Sequence, residues 1–424
     1  MRLKLLLGGI LAFHAGWYML VPFFAILFTT RRGMTPAEVG LVLAAQSFML
    51  LLGSLAGGAL ADRYGRRLTM TAGLILRSAG VALLGLAYTV PGALAAAAVA
   101  GVGGGLYSPA AKAAIAVLAT REHHRTCDRT CVFSWRGIAA NIGTSSGPLL
   151  GSLLVRGPMP VLFGISGAVH AGMGLLTWFL LPPDQEEAGA RARAPWREMF
   201  ADRPFLAFSA VTTLSWALFS QLALAVPLYA SRVLGLEASI GLLWTASSLA
   251  VIALQVPVTR FISGRLPTMT TMAAGAALLG AGLGLVGPAR SFAGLLGAVL
   301  IFVAGEMLLM PMVDTAISTM APADAVGSYF GMASFAWGLG EGIGNLAGGG
   351  LMQFALGRGR LALPFIVYAA TGLGVGLLFV ALGPWIAARR RLPPPRPLIY
   401  RPGQPVPDED ALLLGGFSSD ADDQ

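Results

Sequence analysis

Residues 58–67 read Gly58-Ala59-Leu60-Ala61-Asp62-Arg63-Tyr64-Gly65-Arg66-Arg67, and they join the end of one long apolar stretch to the start of the next. Ten positions hold a small-residue helix exit, one acid and three arginines. Outward from this joint the chain is strongly apolar. Of its 424 residues, 56% are hydrophobic and only 12% charged, against about 25% charge in a soluble domain. A mean hydropathy of +0.73 and 56 glycines point the same way, to a chain that dissolves in lipid. The net charge of +9 does not describe a nucleic-acid binder, because the arginines sit in short joints and build no continuous basic face. Two cysteines, Cys127 and Cys131, exclude a disulfide scaffold.

A helix needs about 20 mostly apolar residues to cross a hydrocarbon core, and it satisfies its own backbone there. Twelve windows qualify: 5–27, 38–60, 68–88, 92–117, 132–154, 161–181, 204–230, 239–262, 268–287, 292–319, 327–352 and 361–387. Breakers fall at the joints, among them Pro91, Pro158, Pro160, Pro182, Pro267, Pro288 and Pro322. Met1-Arg2-Leu3-Lys4 opens like a secretory signal, but its apolar run continues to Leu27, too long for a cleaved segment, and is read as the first span. Twelve spans put both termini on one side. With that side taken as cytoplasmic, nineteen Lys and Arg fall inside and seven outside, while Arg77, Lys112 and Arg136 lie within spans. This asymmetry sets both termini inside and places the 58–67 joint there too.

The spacing G-x-L-A-D-R-x-G-R-R resembles the signature loop between the second and third helices of the major facilitator superfamily. The resemblance covers about residues 1–388. It implies an all-α integral membrane protein with twelve transmembrane helices in two pseudo-symmetric six-helix bundles, worked by alternating access. The bundles are expected at 1–181 and 204–388, joined by a cytoplasmic linker at 182–203 and followed by a disordered tail at 389–424. In that family the loop latches one conformation. Asp62 is then expected to dock near Gly327-Ser328, at the start of the eleventh helix, where a helix N-terminus favours an anion. Gly58 and Gly65 frame the turn, and Arg63, Arg66 and Arg67 would hold acidic groups or lipid headgroups. The family's companion arginine in the fourth helix is absent, since Ala93 to Ala98 contain none.

An internal echo supports duplication of one half. Val21-Pro22 matches Val226-Pro227, Val39-Gly40-Leu41 matches Ile240-Gly241-Leu242, Pro109 matches Pro311, and Gly143 and Gly147 match Gly340 and Gly344. The signature loop survives only in part between spans 8 and 9, as Thr259-Arg260 and Gly264-Arg265 without the acid. In the central linker, Pro195 to Phe200 forms either a short interfacial helix or an irregular segment.

The fifth span carries Gly143-Thr144-Ser145-Ser146-Gly147-Pro148-Leu149-Leu150-Gly151-Ser152. It is similar to the G-x-x-x-G-P-x-x-G-G pattern that marks antiporters in the superfamily, with Ser152 in place of the last glycine. Gly143, Gly147 and Gly151 share one face suited to close helix contact, and Pro148 frees the Thr144 carbonyl. That face is expected against the eighth helix, as a seal against proton leak, or else serves ordinary packing.

Ionisable groups at membrane depth cost roughly 2.5–3.5 kcal/mol each, so each needs a partner or a purpose. Glu306 and Glu341 fall near the middles of spans 10 and 11, with Asp314 further along span 10. A carboxyl that deep can load and release a proton as its surroundings change, and a substrate competing for it would couple two fluxes. Glu306 ranks first, because tenth helices line the cavity in the superfamily. Glu341 either shares that role or partners a backbone group or Arg136. Lys112 and Asp314 occupy matching repeat positions and either pair across an inner gate or snorkel apart. Arg77 and Arg136 are expected to neutralise acids within the bundles. Candidates for the cavity wall are His14, Tyr18, Tyr107, Asn141, Trp216, Gln221, Met310 and Trp337, with Trp17, Trp244 and Met307 as further aromatic or sulfur-bearing groups. A lone buried histidine more often packs than binds.

There is no P-loop, no interpretable Ser/His/Asp arrangement and no metal cage. His123, His124, Cys127 and Cys131 share one short loop without a second ligand pair, so no metal is assigned. The chain is expected not to be an enzyme and to need no cofactor, with a proton gradient as its energy source. Its expected partners are protons, a small-molecule substrate and the lipid bilayer, with no nucleic acid, and it is expected to be a monomer. The expected activity is secondary active transport in the cytoplasmic (inner) membrane: proton-coupled antiport that exports an amphiphilic or cationic small molecule, as in multidrug efflux. The alternatives are proton-coupled uptake or facilitated diffusion of a small polar nutrient, and a receptor or enzyme scaffold.

Overall fold

Helices build every regular element among the described residues of the computed structural model, which are 2–121, 129–181, 196–262, 265–321 and 326–390. The first set comprises α1 (Arg2–Tyr18), α2 (Val21–Arg31), α3 (Pro36–Tyr64), α4 (Arg66–Leu86), α5 (Val90–Arg121), α6 (Arg129–Leu154) and α7 (Met159–Leu180). A short helix, α8 (Trp196–Ala201), precedes the second set. That set comprises α9 (Arg203–Phe219), α10 (Ala225–Leu234), α11 (Ile240–Ile262), α12 (Thr268–Val286), α13 (Phe292–Met320), α14 (Val326–Gly357) and α15 (Leu363–Arg390). The expected linker is therefore helical over 196–201 and joins α9 two residues later. Residues 182–195, the loop 122–128 and the tail 391–424 lie outside the described residues.

Local chemistry explains the starts of the helices. Thr35 and Glu38 form a reciprocal cap at α3: the Thr35 hydroxyl accepts from the Glu38 amide at 3.2 Å, and the Thr35 amide donates to Glu38 Oε2 at 2.8 Å. Asp202 accepts from the Phe205 amide at 3.1 Å to cap α9, and its other oxygen accepts from the Tyr329 hydroxyl of α14 at 2.8 Å. Gly65 joins α3 to α4 at φ 90° and ψ 151°, a conformation essentially closed to residues with a Cβ. The second half of the opening motif thus depends on glycine for its backbone.

Nine stretches among the described residues are long and apolar enough to cross a membrane. They fall in the windows of α1–α2, α3, α4, α5, α7, α9–α10, α12, α13 and α15. Their outer faces are apolar: Phe179 is 76% exposed, Leu377 71% and Ile366 65%. Side chains of this kind suit contact with acyl chains rather than water.

Two windows expected to be single helices are broken. Residues 5–27 divide between α1 and α2 at Met19-Leu20, and 204–230 divide between α9 and α10 by a 3-10 turn, Ser220–Leu222. The cause is the repeated Val-Pro pair. Pro22 and Pro227 each lack an amide and crowd the carbonyl four residues back, and each stands in the first turn of the second piece.

Within each set, glycines bring backbones into contact. Gly143, Gly147 and Gly151 of α6 lie on the α1 backbone from Leu11 to Met19. The antiporter-like face therefore packs on the first helix and not on α11, which corrects the expectation above. The matching Gly340 and Gly344 of α14 lie on α9 and the 3-10 turn, at Thr213, Trp216 and Ala217. Gln221 reinforces this contact: its Nε2 donates to the Gly344 carbonyl at 2.8 Å and to Ala217 at 3.0 Å.

Two seams join the sets. On one, a Cβ at Gly40 of α3 would strike the Asn345 carbonyl of α14, and Gly349 faces Pro36 and Gly40. On the other, a Cβ at Gly241 of α11 would stand 2.6 Å from the Pro148 carbonyl of α6, and the Thr245 hydroxyl donates to the Ser145 carbonyl at 3.3 Å. The first seam continues through Phe48 on Gly342 to Leu51 on Gly338. Beyond it Leu55 and Phe335 are exposed, and a Cβ at Gly58 or Gly331 would meet nothing within 4 Å. The cleft is closed at the Gly40 end and parts toward the Gly58 end.

Gly40→Val should force the α3–α14 backbones apart. Its expected cost is about 1–3 kcal/mol, read as a lower melting temperature in detergent, whereas Gly164→Ala on α7, where a Cβ meets nothing within 4 Å, should be neutral or gain up to about 1 kcal/mol. Gln221→Leu keeps the volume but removes the side-chain donor to the Gly344 carbonyl, which retains its place in the α14 ladder. It should cost about 0.5–1.5 kcal/mol of thermal stability and leave ligand affinity unchanged, as checked by ligand titration of the surviving folded fraction.

Candidate functional site

Between the two sets, at the level of the helix breaks, lies a cavity of about 80 Å³. The first set gives it Tyr18 from the end of α1, and Asn141 and Thr144 from α6. The second set gives Phe219 and Leu222 from the α9 break, Trp244, Ser247, Ser248 and Val251 from α11, and Val303 and Glu306 from α13. Interrupted helices at corresponding places in two halves are the usual surroundings of a transporter's binding site, and here both breaks border the cavity.

Glu306 is the acid of this cavity. It is half-buried, and among the described residues no hydrogen bond or opposite charge engages it. The rings of Tyr18 and Trp244 stand 5.9 Å apart on the same wall, and the buried Trp244 Nε1–H has no hydrogen-bond partner among the described residues. A carboxyl, two aromatic faces and an unused indole donor suit a ligand with a positive group, an apolar body and one hydrogen-bond acceptor. The volume is small beside the ~300–1,000 Å³ of sites for drug-sized ligands. In this conformation the cavity is too small for a molecule of that size.

Glu341 lies outside this wall. Its carboxyl is near the Ser47 hydroxyl of α3, and the charge of Arg77 acts on it. Tyr18 lies within the field of both acids. Arg77 itself is 1% exposed and forms no ion pair with a described residue. It lies over the rings of Phe13 at 4.7 Å and Trp17 at 4.3 Å. Its side chain is aimed at α1 and α5, which offer it rings and a carbonyl, and the described acid whose charge acts on it is Glu341, on the other set.

The other candidates scatter. Asp314 is exposed on α13. The side chains of Lys112, Arg136 and Asp62, and those of Gly327-Ser328, lie outside the described residues, as do His123, His124, Cys127 and the Cys131 side chain. Arg63 lies 5.2 Å over Tyr64, and Arg67 lies 4.3 Å over Trp178 of α7, so both latch arginines are placed by rings. Arg66 occupies the first turn of α4. His14 donates from Nδ1 to the Ile10 carbonyl at 2.8 Å and stacks on Tyr18 at 6.4 Å, behind the cavity wall. Tyr107 stacks on Phe13 at 4.6 Å inside the first set. Trp216 packs against Trp337 at 5.8 Å, away from the cavity, and Met310 is not on its wall. Of the eight proposed wall residues, Tyr18 and Asn141 are the two that reach it. Thr144, Ser247, Ser248 and the apolar residues from α9 and α13 were missed. Trp244, Ser247, Ser248 and Val251 do follow helical spacing, but that spacing alone does not say which face meets a cavity.

Comparison with known proteins agrees with this architecture. The sequence profile of the Major Facilitator Superfamily matches residues 6–345. Multidrug resistance protein MdtH of Aeromonas salmonicida is 26% identical over 366 residues, covering 86% of this chain and 91% of that protein. An uncharacterized MFS-type transporter of Mycobacterium tuberculosis is 30% identical over 386 residues, covering 87% and 89%. Among solved structures, nucleoside transporter NupG superposes with a TM-score of 0.75 at 14% identity, covering 90% of this chain and 99% of that one. Peptide transporter POT in complex with sulfate gives 0.74 at 16% identity, covering 91% and 95%. The chain thus belongs to the major facilitator superfamily, a family of multi-pass membrane transporters.

Proposed function

We propose that the protein is a proton-coupled antiporter that exports an amphiphilic, cationic small molecule across the cytoplasmic membrane by alternating access. The observation that carries this reading is Glu306: one unpaired acid facing a cavity where two halves meet, beside Tyr18 and Trp244. A proton and an organic cation compete for one carboxyl, so binding of either excludes the other. That competition is all the coupling requires. The relatives named multidrug resistance protein MdtH support export of such compounds.

On this reading twelve spans cross the bilayer. Helices α6, α11 and α14 run 26, 23 and 32 residues. At about 1.5 Å per residue each exceeds a hydrocarbon core of about 30 Å. Serine and threonine dilute the hydropathy of α6, and glycine dilutes that of α14. The arginine asymmetry puts both termini in the cytoplasm, so the Gly40 end of the cleft is external and the Gly58 end is open inward. A cation entering from the cytoplasm takes the place of the proton on Glu306. The bodies 1–181 and 204–388 then rock, and a proton from outside displaces the cation. The protonated carrier returns. Asp62 and its arginines hold the inward-closed state, Lys112 and Asp314 line the inner gate, and the α6 glycines keep α1 and α6 together so that no proton path opens between them. The protein works as a monomer with no cofactor, and the only energy source is the proton gradient.

The test is a pH jump across proteoliposomes loaded with a fluorescent organic cation. Wild type should move the dye against its gradient. Glu306→Gln should reduce pH-driven movement about tenfold or more, because the ligand loses its charged partner, while folding and dye-independent stability persist. Undiminished pH-driven transport in that variant would overturn the assignment.

A further inference from the structure

Among the described residues of its own helix set, the buried cation Arg77 has no counter-charge. Its guanidinium passes α5 where Gly104 leaves room, since a Cβ there would collide with Nη1. It donates one long bond, 3.4 Å, to the Ala100 carbonyl, and its Nε–H has no partner. A guanidinium carries five donors, and the Phe13 and Trp17 rings attract its charge without neutralising it. A buried charge held this way calls for an opposite charge.

The acid that answers it lies on the other helix set. Both residues border the same turn of α3: the Gly104 site that Arg77 fills also meets Leu50, and Leu51 carries Gly338, three residues before Glu341, so the charge of each acts on the other. Glu341 sits between Gly338, set on Leu51, and Gly342, set on Phe48, where the α3–α14 seam gives way to the open end. On the alternating-access reading, closing that end presses the Glu341 turn of α14 against the Phe48–Leu51 turn of α3, which borders Arg77. Among the described residues, the groups facing Glu341 are Arg77 from α4, Tyr18 from α1 and the uncharged Ser47 from α3. Glu306 of α13 shares the cavity wall with Tyr18. From α9, Thr213 and Trp216 approach the neighbouring Gly340, and neither titrates. Arg77 alone among these offers a positive charge.

We propose that Arg77 is a positioning residue: the fixed positive pole with which the Glu341 carboxylate pairs when the open end of the cleft closes, so that protonation of Glu341 favours reopening. The proposal rests on the alternating-access reading above. It gives the two central acids different tasks, Glu306 meeting the substrate and Glu341 reporting protonation to the joint between the halves.

The experiment places spin labels at Leu55→Cys and Phe335→Cys, beyond the seam on α3 and α14, after replacing Cys127 and Cys131 with serine. Pulsed-EPR distances are measured in lipid nanodiscs, without substrate, from mildly acidic to mildly alkaline pH. The labelled parent should shift toward short distances as pH rises. Arg77→Gln and Glu341→Gln should each raise the open-to-closed ratio at alkaline pH about tenfold and flatten the pH response. The double variant should go no further than either single one, and Arg77→Lys should restore part of the response. A wild-type pH response in either single variant, or additive effects in the double, would overturn the proposal. Should Arg77→Gln fail to fold, Glu341→Gln alone decides, because it leaves the arginine in place. A failed transport reading would appear as absent dye movement by the parent protein, which these distances do not measure.

Discussion

The close approach of backbones at Gly40 and Gly241 is the constraint on which the architecture depends. In lipid the hydrophobic effect does not press helices together, so they associate through close packing and hydrogen bonds. A Cβ at either glycine would sit inside contact distance of a carbonyl on the opposite set. The two glycines hold matching positions in the repeat, so the joint is built twice, once by α3 on α14 and once by α11 on α6. Both contacts lie toward the same end. The sets are therefore clamped at one end and free to part at the other, and the cavity lies where the clamp gives way.

The peripheral arginines explain why the central acids are left unpaired. Arg31 donates to the Val155 carbonyl at 2.6 Å and to that of Gly157, just past the end of α6. Arg32 donates to the Gly85 carbonyl at 2.6 Å at the end of α4, with its guanidinium 3.7 Å over Tyr88. Arg290 donates to the Gly287 and Ala289 carbonyls at 3.0 Å each and to the Tyr229 hydroxyl at 2.8 Å, beyond α12. All three occupy the negative ends of helices, where a cation is favoured. Cations committed to capping at the rim do not reach mid-depth. Among the arginines whose side chains are described, Arg77 is the one carried inward, where it lies over the rings of Phe13 and Trp17.

Much of this was legible in the sequence because lipid restricts the solutions. Apolar windows of span length, prolines at joints and arginine asymmetry follow from the cost of burying backbone and charge, so helix positions emerge within a few residues. The Val-Pro and glycine repeats announced the symmetry. What they did not announce was partner choice. The Gly143-Gly147-Gly151 face has the same spacing whether it meets α1 or α11, since small residues permit contact without specifying with what. The breaks at Met19 and Ser220 were hidden for a similar reason: hydropathy is continuous across a proline even where the hydrogen-bond ladder is not. Gln221 looked like a cavity residue because it is polar, yet its amide is consumed by the Gly344 carbonyl. Ser247 and Ser248 look like ordinary helix serines until α13 is placed opposite them.

The distribution of glycines also decides which parts move together. Within a set, α6 touches α1 at three successive glycines and α14 touches α9 at two, each backbone to backbone or backbone to Cβ. Between sets, the α3–α14 seam begins with the same kind of contact at Gly40 and Gly349, then passes to side chains at Phe48 and Leu51, and then ends. Side-chain contacts can slide and re-form by rotamer change, whereas close backbone contacts can only separate. On the alternating-access reading, each set stays whole while the seam between them lengthens or shortens at its side-chain end, the cavity of about 80 Å³ widens without rearrangement inside either set, and Glu306 keeps its place on the wall because α13 belongs to one set.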